Sequence, residues 1–156
     1  MNWKDAPIDG IGLEPFSVFS DDRGWLAELF RRDELPAQDY PAMGYLSSTK
    51  AGIARGPHEH VSQTDRFAFF HGEYTLFLWD SRQDSPSYGS RMSVSVGAQN
   101  PVVVTVPPGV VHAYRNEGAA PAFVLNFPDQ LYAGQDKKEE VDEIRHEEQE
   151  SSIYTM

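Results

Sequence analysis

The sequence contains no cysteine, which excludes disulfide scaffolds and metal sites built from thiolates. Basic residues are also scarce, because 13 Lys and Arg stand against 24 Asp and Glu and give a formal net charge of −11. A protein that binds nucleic acid along its phosphates needs a basic surface, so this charge argues against a nucleic-acid partner. It still allows a small phosphorylated ligand held by a few local arginines.

Long hydrophobic runs are missing as well, and the N-terminus lacks the basic and then apolar pattern of a signal peptide. With 40% hydrophobic and 12% aromatic residues, the composition is typical of a globular protein, and 156 residues suit one domain with a real core. We therefore predict a cytoplasmic protein with no membrane partner.

Short extended runs separated by turn residues fill the chain from residue 16 to residue 132, which we interpret as one barrel domain. Short strands at such even spacing favour an antiparallel sandwich or barrel. Gly72 and Glu73 join two aromatic-rich runs and predict a β-hairpin there. The predicted strands span residues 15–20, 25–30, 44–49, 52–60, 66–71, 74–79, 91–96, 102–106, 110–115 and 122–127.

The two ends of the chain differ from this middle part. Residues 1–15 are mixed and interrupted by Gly and Pro, and we interpret them as an N-terminal arm. Residues 133–156 form an acidic tail, and residues 136–150 alone carry eight acidic and three basic side chains, a net charge of −5. Helix-forming residues with a sparse apolar pattern predict a solvated C-terminal helix over residues 137–150 that rests on the barrel.

Three of the five histidines lie in two short segments of the predicted barrel. His58 and His60 are two residues apart, so a strand directs both imidazoles to one face. His112 follows a Pro-Pro-Gly turn and lies on the strand that this turn leads into. Asp65 begins the strand after His60, and we expect an antiparallel neighbour to bring it beside the two imidazoles. Three imidazoles and a carboxylate are a natural ligand set for Zn, Mn, Fe or Ni.

The spacing of these residues resembles the two-part cupin signature, with Asp65 where cupins usually carry glutamate. It reads Gly52-x5-His58-x-His60-x4-Asp65-x6-Gly72, then Pro107-x-Gly109-x2-His112-x3-Asn116. The resemblance implies an all-β cupin fold, a double-stranded β-helix or jelly-roll barrel with a polar pocket at its mouth.

A finer set of positions resembles one cupin branch, the dTDP-4-dehydrorhamnose 3,5-epimerase family of sugar-nucleotide enzymes. These positions occur in the family's order over residues 16–132. They are Asp22-Arg23-Gly24, Glu28, Ser47 to Thr49, Gly52 to His58, Gln63, Arg82 to Gly89, Asn100-Pro101 and Pro107 to His112.

This resemblance implies a homodimer that epimerises a nucleotide-linked 4-keto sugar without a cofactor. His58 matches the catalytic base that removes a proton beside the keto group, and His112 matches a second active-site histidine. Arg55 and Arg23 match arginines that hold the diphosphate, and Arg23 would reach into the pocket of a partner subunit. Glu28 matches a nucleotide contact, and we place Gln63 with it in the substrate-binding set.

The chain also departs from the family pattern at catalytic positions. Asp65 replaces a lysine that stabilises the enolate, and Leu125 replaces the tyrosine that donates a proton. Tyr114 lies two residues past His112 on the same strand face, and we predict that it supplies the missing acid. Our candidate for the late aspartate that orients the base is Asp142. Met43 and Tyr45 stand where the family has nucleotide-contacting Gln and Asn.

Two alternatives remain open on the sequence. The first is a metal-dependent cupin enzyme for a small carbonyl or hydroxy compound, with a metal on His58, His60, Asp65 and His112 acting as Lewis acid where the lysine used to be. The second is a binding protein that keeps the sugar-nucleotide pocket but has lost catalysis.

Overall fold

A computed structural model describes residues 2–156, and thirteen β-strands and three short 3-10 turns account for the regular structure of these residues. The strands are β1 (Lys4–Asp5), β2 (Gly12–Pro15), β3 (Ser17–Asp21), β4 (Gly24–Glu28), β5 (Tyr45–Thr49), β6 (Ala54–Glu59), β7 (Asp65–Phe69), β8 (Glu73–Asp80), β9 (Ser90–Gly97), β10 (Val102–Val106), β11 (Val110–Asn116), β12 (Ala122–Asn126) and β13 (Ile144–Arg145). The predicted all-β jelly-roll fold is confirmed.

Two sheets form the barrel. The six-stranded sheet has the order β1-β9-β8-β11-β6-β13, and the five-stranded sheet has the order β2-β10-β7-β12-β5. Side chains of alternate residues meet between the sheets, as where the Phe69 ring of β7 packs edge-on against the Tyr114 ring of β11 at 5.5 Å. Among residues 2–156, no helix is long and apolar enough to cross a membrane.

The predicted hairpin at Gly72 is wrong. β7 pairs with β10 and β12 in the five-stranded sheet, whereas β8 pairs with β9 and β11 in the six-stranded sheet. The turn at Gly72 therefore carries the chain from one sheet to the other. A Gly-containing turn between two apolar strands has the same local sequence in both arrangements, so the sequence could not distinguish them.

Residues of the predicted N-terminal arm extend both sheets. β1 pairs in parallel with β9, β2 pairs with β10, and Ile8 between them is 5% exposed and packs in the core. Near the start of the chain, the Trp3 ring packs on the Tyr154 ring at 5.5 Å. Both termini thus cover the outer face of the six-stranded sheet.

The predicted C-terminal helix is not formed. Residues 137–150 contain β13, which pairs with β6, and the 3-10 turn His146–Glu148. The physical reason is the open edge of β6, which offers backbone hydrogen bonds to a passing segment. A helix with only Val141 and Ile144 as apolar contacts has little to bury in return.

A β-bulge in β6 decides which of its side chains face the same way. His58 pairs with His112 and Arg55 pairs with Tyr114, so two residues of β6 lie opposite the single residue Ala113. Arg55 and His58 are three apart and would face opposite sides of a regular strand. The extra residue of the bulge shifts the alternation of side chains by one position, so the side chains of Arg55 and His58 point to the same side of the sheet.

Gly56 is the residue that permits this bulge, because its φ is +82° and a Cβ there would lie 2.5 Å from the carbonyl oxygen of His112. We expect Gly56→Ala to destabilise the protein by at least about 2 kcal/mol, since it adds a steric clash to the backbone strain. Gly52→Ala is the matched control, with φ of +70° and nothing within 4 Å of the added Cβ. Gly52→Ala should lower the free energy of unfolding, measured by urea denaturation, by about 1 kcal/mol. Equal losses in the two variants would show that the close approach at Gly56 is unimportant.

Candidate functional site

A cavity with a volume of about 1530 Å³ opens at one end of the barrel. Its wall includes five of the residues singled out on the sequence, namely Arg55, His58, His60, Gln63 and Tyr114. His112 and Asp65 are each 1% exposed and lie directly behind His60. A cavity of this size is large enough for a ligand with more than one ring.

His58 lies on β6 beside its cross-strand partner His112, and the two rings meet edge-on with their centres 4.5 Å apart. Burial, followed by the neighbouring imidazoles of His112 and His60, lowers the pKa of His58 to about 2, so the ring is neutral. Its Nδ1 atom lies 3.8 Å from a carboxylate oxygen of Glu143 and 3.7 Å from one of Glu147. These two glutamates come from the tail and were not recognised on the sequence, where they resemble any other acidic residue of a charged run.

Asp65 is the centre of a second group of side chains. Its Oδ2 atom lies 3.2 Å from Nε2 of His60 and 3.3 Å from Nε2 of His112. Its Oδ1 atom accepts hydrogen bonds from the side-chain amides of Gln63 at 2.9 Å and Asn126 at 2.7 Å. Asp65 belongs to β7 of the five-stranded sheet, so it reaches the histidines across the barrel and not from a neighbouring strand as expected.

The charges in this group stabilise one another. Burial alone would raise the pKa of Asp65, but the adjacent imidazoles of His112 and His60 lower it below its usual range. Burial lowers the pKa of His60, yet the hydrogen bond and charge of Asp65 outweigh it and raise that pKa to about 9. Three residues of the predicted metal set, His60, Asp65 and His112, have their ligand atoms within 4.8 Å of one another, and His58 lies outside this group.

Asp142 does not orient His58, in contrast to our expectation. Its carboxylate accepts hydrogen bonds from the backbone N–H groups of Val61 at 2.9 Å, Ser62 at 3.0 Å and Gln63 at 2.9 Å. Its backbone carbonyl accepts a hydrogen bond from Nδ1 of His60. The tail is therefore fastened across the cavity as part of its wall, and Asp142 fixes the loop that follows β6.

Arg55 presents a cation to the cavity. Its Nε donates to Oγ1 of Thr49 at 3.0 Å and its Nη2 donates to the backbone carbonyl of Ser48 at 2.8 Å. Within residues 2–156 no carboxylate oxygen lies within 4.0 Å of the guanidinium. Its charge is therefore available to an anionic ligand.

Two tyrosines line the same cavity. The Tyr114 hydroxyl lies 3.2 Å from Oγ of Ser47, and burial raises its pKa. The Tyr45 hydroxyl accepts a hydrogen bond from Asn126 at 2.9 Å, and burial raises its pKa to about 12. Both hydroxyls are protonated near neutral pH and can donate a proton. Tyr45 was not singled out as an acid on the sequence, although strand alternation places it on the inner face with Ser47.

Leu125, which we matched to the family tyrosine on the sequence, lies on the other face of its sheet. It pairs across the strands with Leu46, which is 60% exposed, whereas its neighbours Val124 and Asn126 are each 1% exposed. A side chain at position 125 therefore points away from the cavity. The inward position beside it is held by Asn126, which binds Asp65.

Arg23 and Glu28 lie outside the cavity on the hairpin formed by β3 and β4. The Arg23 side chain is 89% exposed at the tip of this hairpin and forms an ion pair with Asp21. Glu28 lies 3.5 Å from Arg31. Neither residue contributes to the site of its own chain.

Comparison with known proteins gave consistent matches over most of the chain. The model of the dTDP-4-dehydrorhamnose 3,5-epimerase family matches residues 5–150. The probable low-salt glycan biosynthesis epimerase Agl13 of Haloferax volcanii is 33% identical over 134 residues, which cover 85% of this chain and 86% of the relative. The spore coat polysaccharide biosynthesis protein SpsL of Bacillus subtilis is 33% identical over 125 residues, covering 80% and 82%.

Among solved structures, a dTDP sugar isomerase from Desulfovibrio desulfuricans G20 superposes with a TM-score of 0.77. It is 24% identical, and the match covers 88% of this chain and 84% of the other. At this identity the superposition supports the fold alone.

The role of Asp142 in fastening the tail can be tested by hydrogen exchange. We expect Asp142→Ala to increase amide exchange about 10-fold or more over residues 61–63 and 141–148, because three backbone donors lose a charged acceptor. Glu140→Ala removes an exposed carboxylate from the same tail and should leave exchange unchanged. Exchange would be measured by mass spectrometry. Similar amide exchange rates in the two variants would contradict this role of Asp142.

Proposed function

The chain belongs to the dTDP-4-dehydrorhamnose 3,5-epimerase family, and we propose that it epimerises a dTDP-linked 4-keto sugar with His58 as the base. The observation that carries this proposal is the β-bulge, which brings His58 and the unpaired guanidinium of Arg55 to one cavity. A proton acceptor and an anion-binding group are then held on the same rigid strand. The relative Agl13 is itself named as a probable epimerase, which supports the same chemistry.

The reaction begins with removal of a proton from a carbon beside the keto group. Such a C–H bond is weakly acidic, so it needs a well-placed base and stabilisation of the enolate that forms. His58 lines the cavity, and its Nδ1 faces Glu143 and Glu147. This leaves Nε2 to accept the proton, while the two glutamates stabilise the imidazolium that results.

Inversion then requires a proton to return to the opposite face of the same carbon. A tyrosine hydroxyl can donate it and be reprotonated from solvent. We assign this step to Tyr114, as on the sequence, and Ser47 at 3.2 Å offers a hydroxyl through which the proton can be replaced. Tyr45 lines the same cavity and is the second candidate for this step.

The diphosphate of the nucleotide would bind Arg55. A guanidinium holds phosphate oxygens with parallel hydrogen bonds, and Nη1 of Arg55 remains free for them while Ser48 and Thr49 fix the rest of the group. Gln63 lines the cavity and is positioned to contact the sugar or its linkage.

A homodimer would complete the site. The hairpin of β3 and β4 forms a separate two-stranded sheet, and such a hairpin is marginally stable alone. It exposes large apolar side chains, with Phe19 at 54%, Trp25 at 63% and Leu26 at 60%. An exposed apolar surface of this kind favours a protein interface. Packed against a second copy, the hairpin would carry Arg23 and Glu28 towards the cavity of the partner.

Base and anion-binding roles can be separated with two variants. We expect His58→Asn to abolish incorporation of solvent deuterium beside the keto group of the sugar, a loss of at least about 1000-fold, because no acceptor remains for the proton. It should bind dTDP nearly as well as the wild type in calorimetry. Arg55→Met should weaken dTDP binding by about 10-fold to 100-fold, because a charge-assisted contact is lost.

Arg115→Met is the matched control, because Arg115 pairs with Glu117 and does not line the cavity. It should change neither deuterium incorporation nor dTDP affinity. Wild-type protein that binds dTDP without any exchange would refute the epimerase and favour the binding protein.

The dimer can be tested at the hairpin. We expect the double change Phe19→Asp and Leu26→Asp to convert a dimer to a monomer in light scattering, because these cross-strand partners lie on one face of the hairpin and two charges would be buried in an apolar interface. Tyr88→Asp adds a charge at a residue that is 50% exposed on a different loop and should leave the dimer intact. A wild-type protein that is monomeric at tens of micromolar would exclude this assembly.

A further inference from the structure

The two imidazoles beside Asp65 have a fixed orientation that the proposed reaction does not explain. Nδ1 of His112 lies 3.1 Å from the backbone carbonyl oxygen of Val110, and Nδ1 of His60 is hydrogen-bonded to the carbonyl oxygen of Asp142. A carbonyl oxygen only accepts hydrogen bonds, so both Nδ1 atoms carry the hydrogen. In the neutral rings, each Nε2 atom therefore presents a lone pair.

Both lone pairs are directed at a third one. The Nε2 atoms of His60 and His112 lie 3.2 Å and 3.3 Å from the same carboxylate oxygen, Oδ2 of Asp65. Nε2 of His112 is fully buried and has no hydrogen-bond partner among the described residues. Converging lone pairs repel each other unless a positive charge lies between them. The side-chain amide nitrogen of Gln63 lies 3.2 Å from Nε2 of His60 and can donate to it, but Nε2 of His112 has no such donor among the described residues. The lone pairs of His112 and Asp65 therefore call for a proton or a cation between them.

The separations match those of ligands around one metal ion. Nitrogen and oxygen ligands bind zinc at about 2.1 Å, so neighbouring ligands of a tetrahedral site are about 3.4 Å apart. The two observed separations, 3.2 Å and 3.3 Å, are close to this value. All three ligand atoms lie within 4.8 Å of one another.

The surroundings also have the features of a metal site. Histidine ligands usually donate their other ring N–H to a carbonyl or carboxylate, which fixes the ring, and both histidines do so here. Gln63 and Asn126 bind Oδ1 of Asp65 and leave Oδ2 for another partner. This network fixes the ligand atoms before any ion arrives.

We propose that His60, Asp65 and His112 bind one divalent transition-metal ion, through two imidazole Nε2 atoms and the Oδ2 atom of the carboxylate. The separations fit zinc or another ion with tetrahedral coordination. Three protein ligands leave one coordination position for water or substrate. His58, the fourth member of the set predicted from the sequence, is outside the group and remains available as a base.

The ion would have a chemical use in the cavity, and this part rests on the proposed function. His60 lines the cavity, so an ion bound to it is close to a sugar placed against His58. When His58 takes the proton from carbon, the electron pair of the C–H bond moves to the keto oxygen as an enolate. A Lewis acid stabilises that charge, and it would do so where the family's lysine is replaced by Asp65.

The test is a cobalt titration of untagged full-length protein after dialysis against a chelator. Co²⁺ accepts the same ligands as zinc and reports a tetrahedral site by visible absorption. We expect one equivalent per chain with intense tetrahedral bands, displaced by Zn²⁺. His60→Gln and Asp65→Asn should each weaken binding at least 100-fold. His60→Gln lies nearer the rim, and a retained circular dichroism spectrum would establish that it folds.

The matched control is His71→Gln, because His71 is exposed and its ring, which accepts a hydrogen bond from the backbone N–H of Phe123 and packs on the Phe123 ring, lies outside the cavity wall. It should bind Co²⁺ as the wild type does. Absence of tetrahedral bands in the wild type, or unchanged affinity in folded His60→Gln, would overturn the proposed site and assign the positive charge to protons.

Deuterium incorporation into the sugar, measured on metal-free and zinc-loaded protein, keeps the two proposals apart. Exchange that requires zinc supports the site and its role as Lewis acid. Exchange by protein that binds no Co²⁺ overturns the metal site and leaves the epimerase. Stoichiometric Co²⁺ binding without exchange in any form supports the site and refutes the epimerase.

Discussion

A single buried carboxylate holds the site together. Asp65 is 1% exposed, and removing a carboxylate from water costs several kcal/mol unless partners compensate for the lost hydration. Its partners come from different parts of the chain: His60 follows β6, His112 lies on β11, and Asn126 ends β12. Asp65 belongs to one sheet, whereas His112 lies on a strand of the other sheet and His60 directly follows a strand of that sheet. The contacts of Asp65 therefore link the two sheets at the mouth of the barrel. The rest of the site is arranged around this link.

Two departures from regular β-structure complete the arrangement. The bulge at Gly56 brings Arg55 and His58 to the same side of their strand, which regular alternation forbids. The tail crosses the mouth as β13 and brings Glu143 and Glu147 to Nδ1 of His58. An acidic wall and a buried carboxylate thus surround the base. The metal ion that we propose beside Asp65 would offset part of this negative charge.

Much of the fold could be predicted because its cause is local. Residues 102–106 and 110–115, for example, are short runs rich in β-branched residues with turn residues on either side. They form strands with nearly the predicted bounds. Their sheet membership could not be predicted, since pairing partners are distant in sequence. The hairpin at Gly72 was wrong for this reason, and so was the expected route of Asp65 to the histidines. The prediction of a helix over residues 137–150 was wrong because backbone hydrogen bonds to the open edge of β6 outweighed a weak helix propensity.

The sequence by itself determined the barrel, the family and the set of chemical groups, because strand periodicity and motif spacing are properties of neighbouring residues. It also determined that His58 and His60 lie close together, and that the site is rich in imidazoles. Only the tertiary structure decided which of these groups meet. Asp65 binds His60 and His112, Asp142 binds the loop after β6, Tyr45 and Tyr114 share a wall, and position 125 faces outward. Such contacts arise from the packing of two sheets and from one bulge, and no spacing along the chain encodes them.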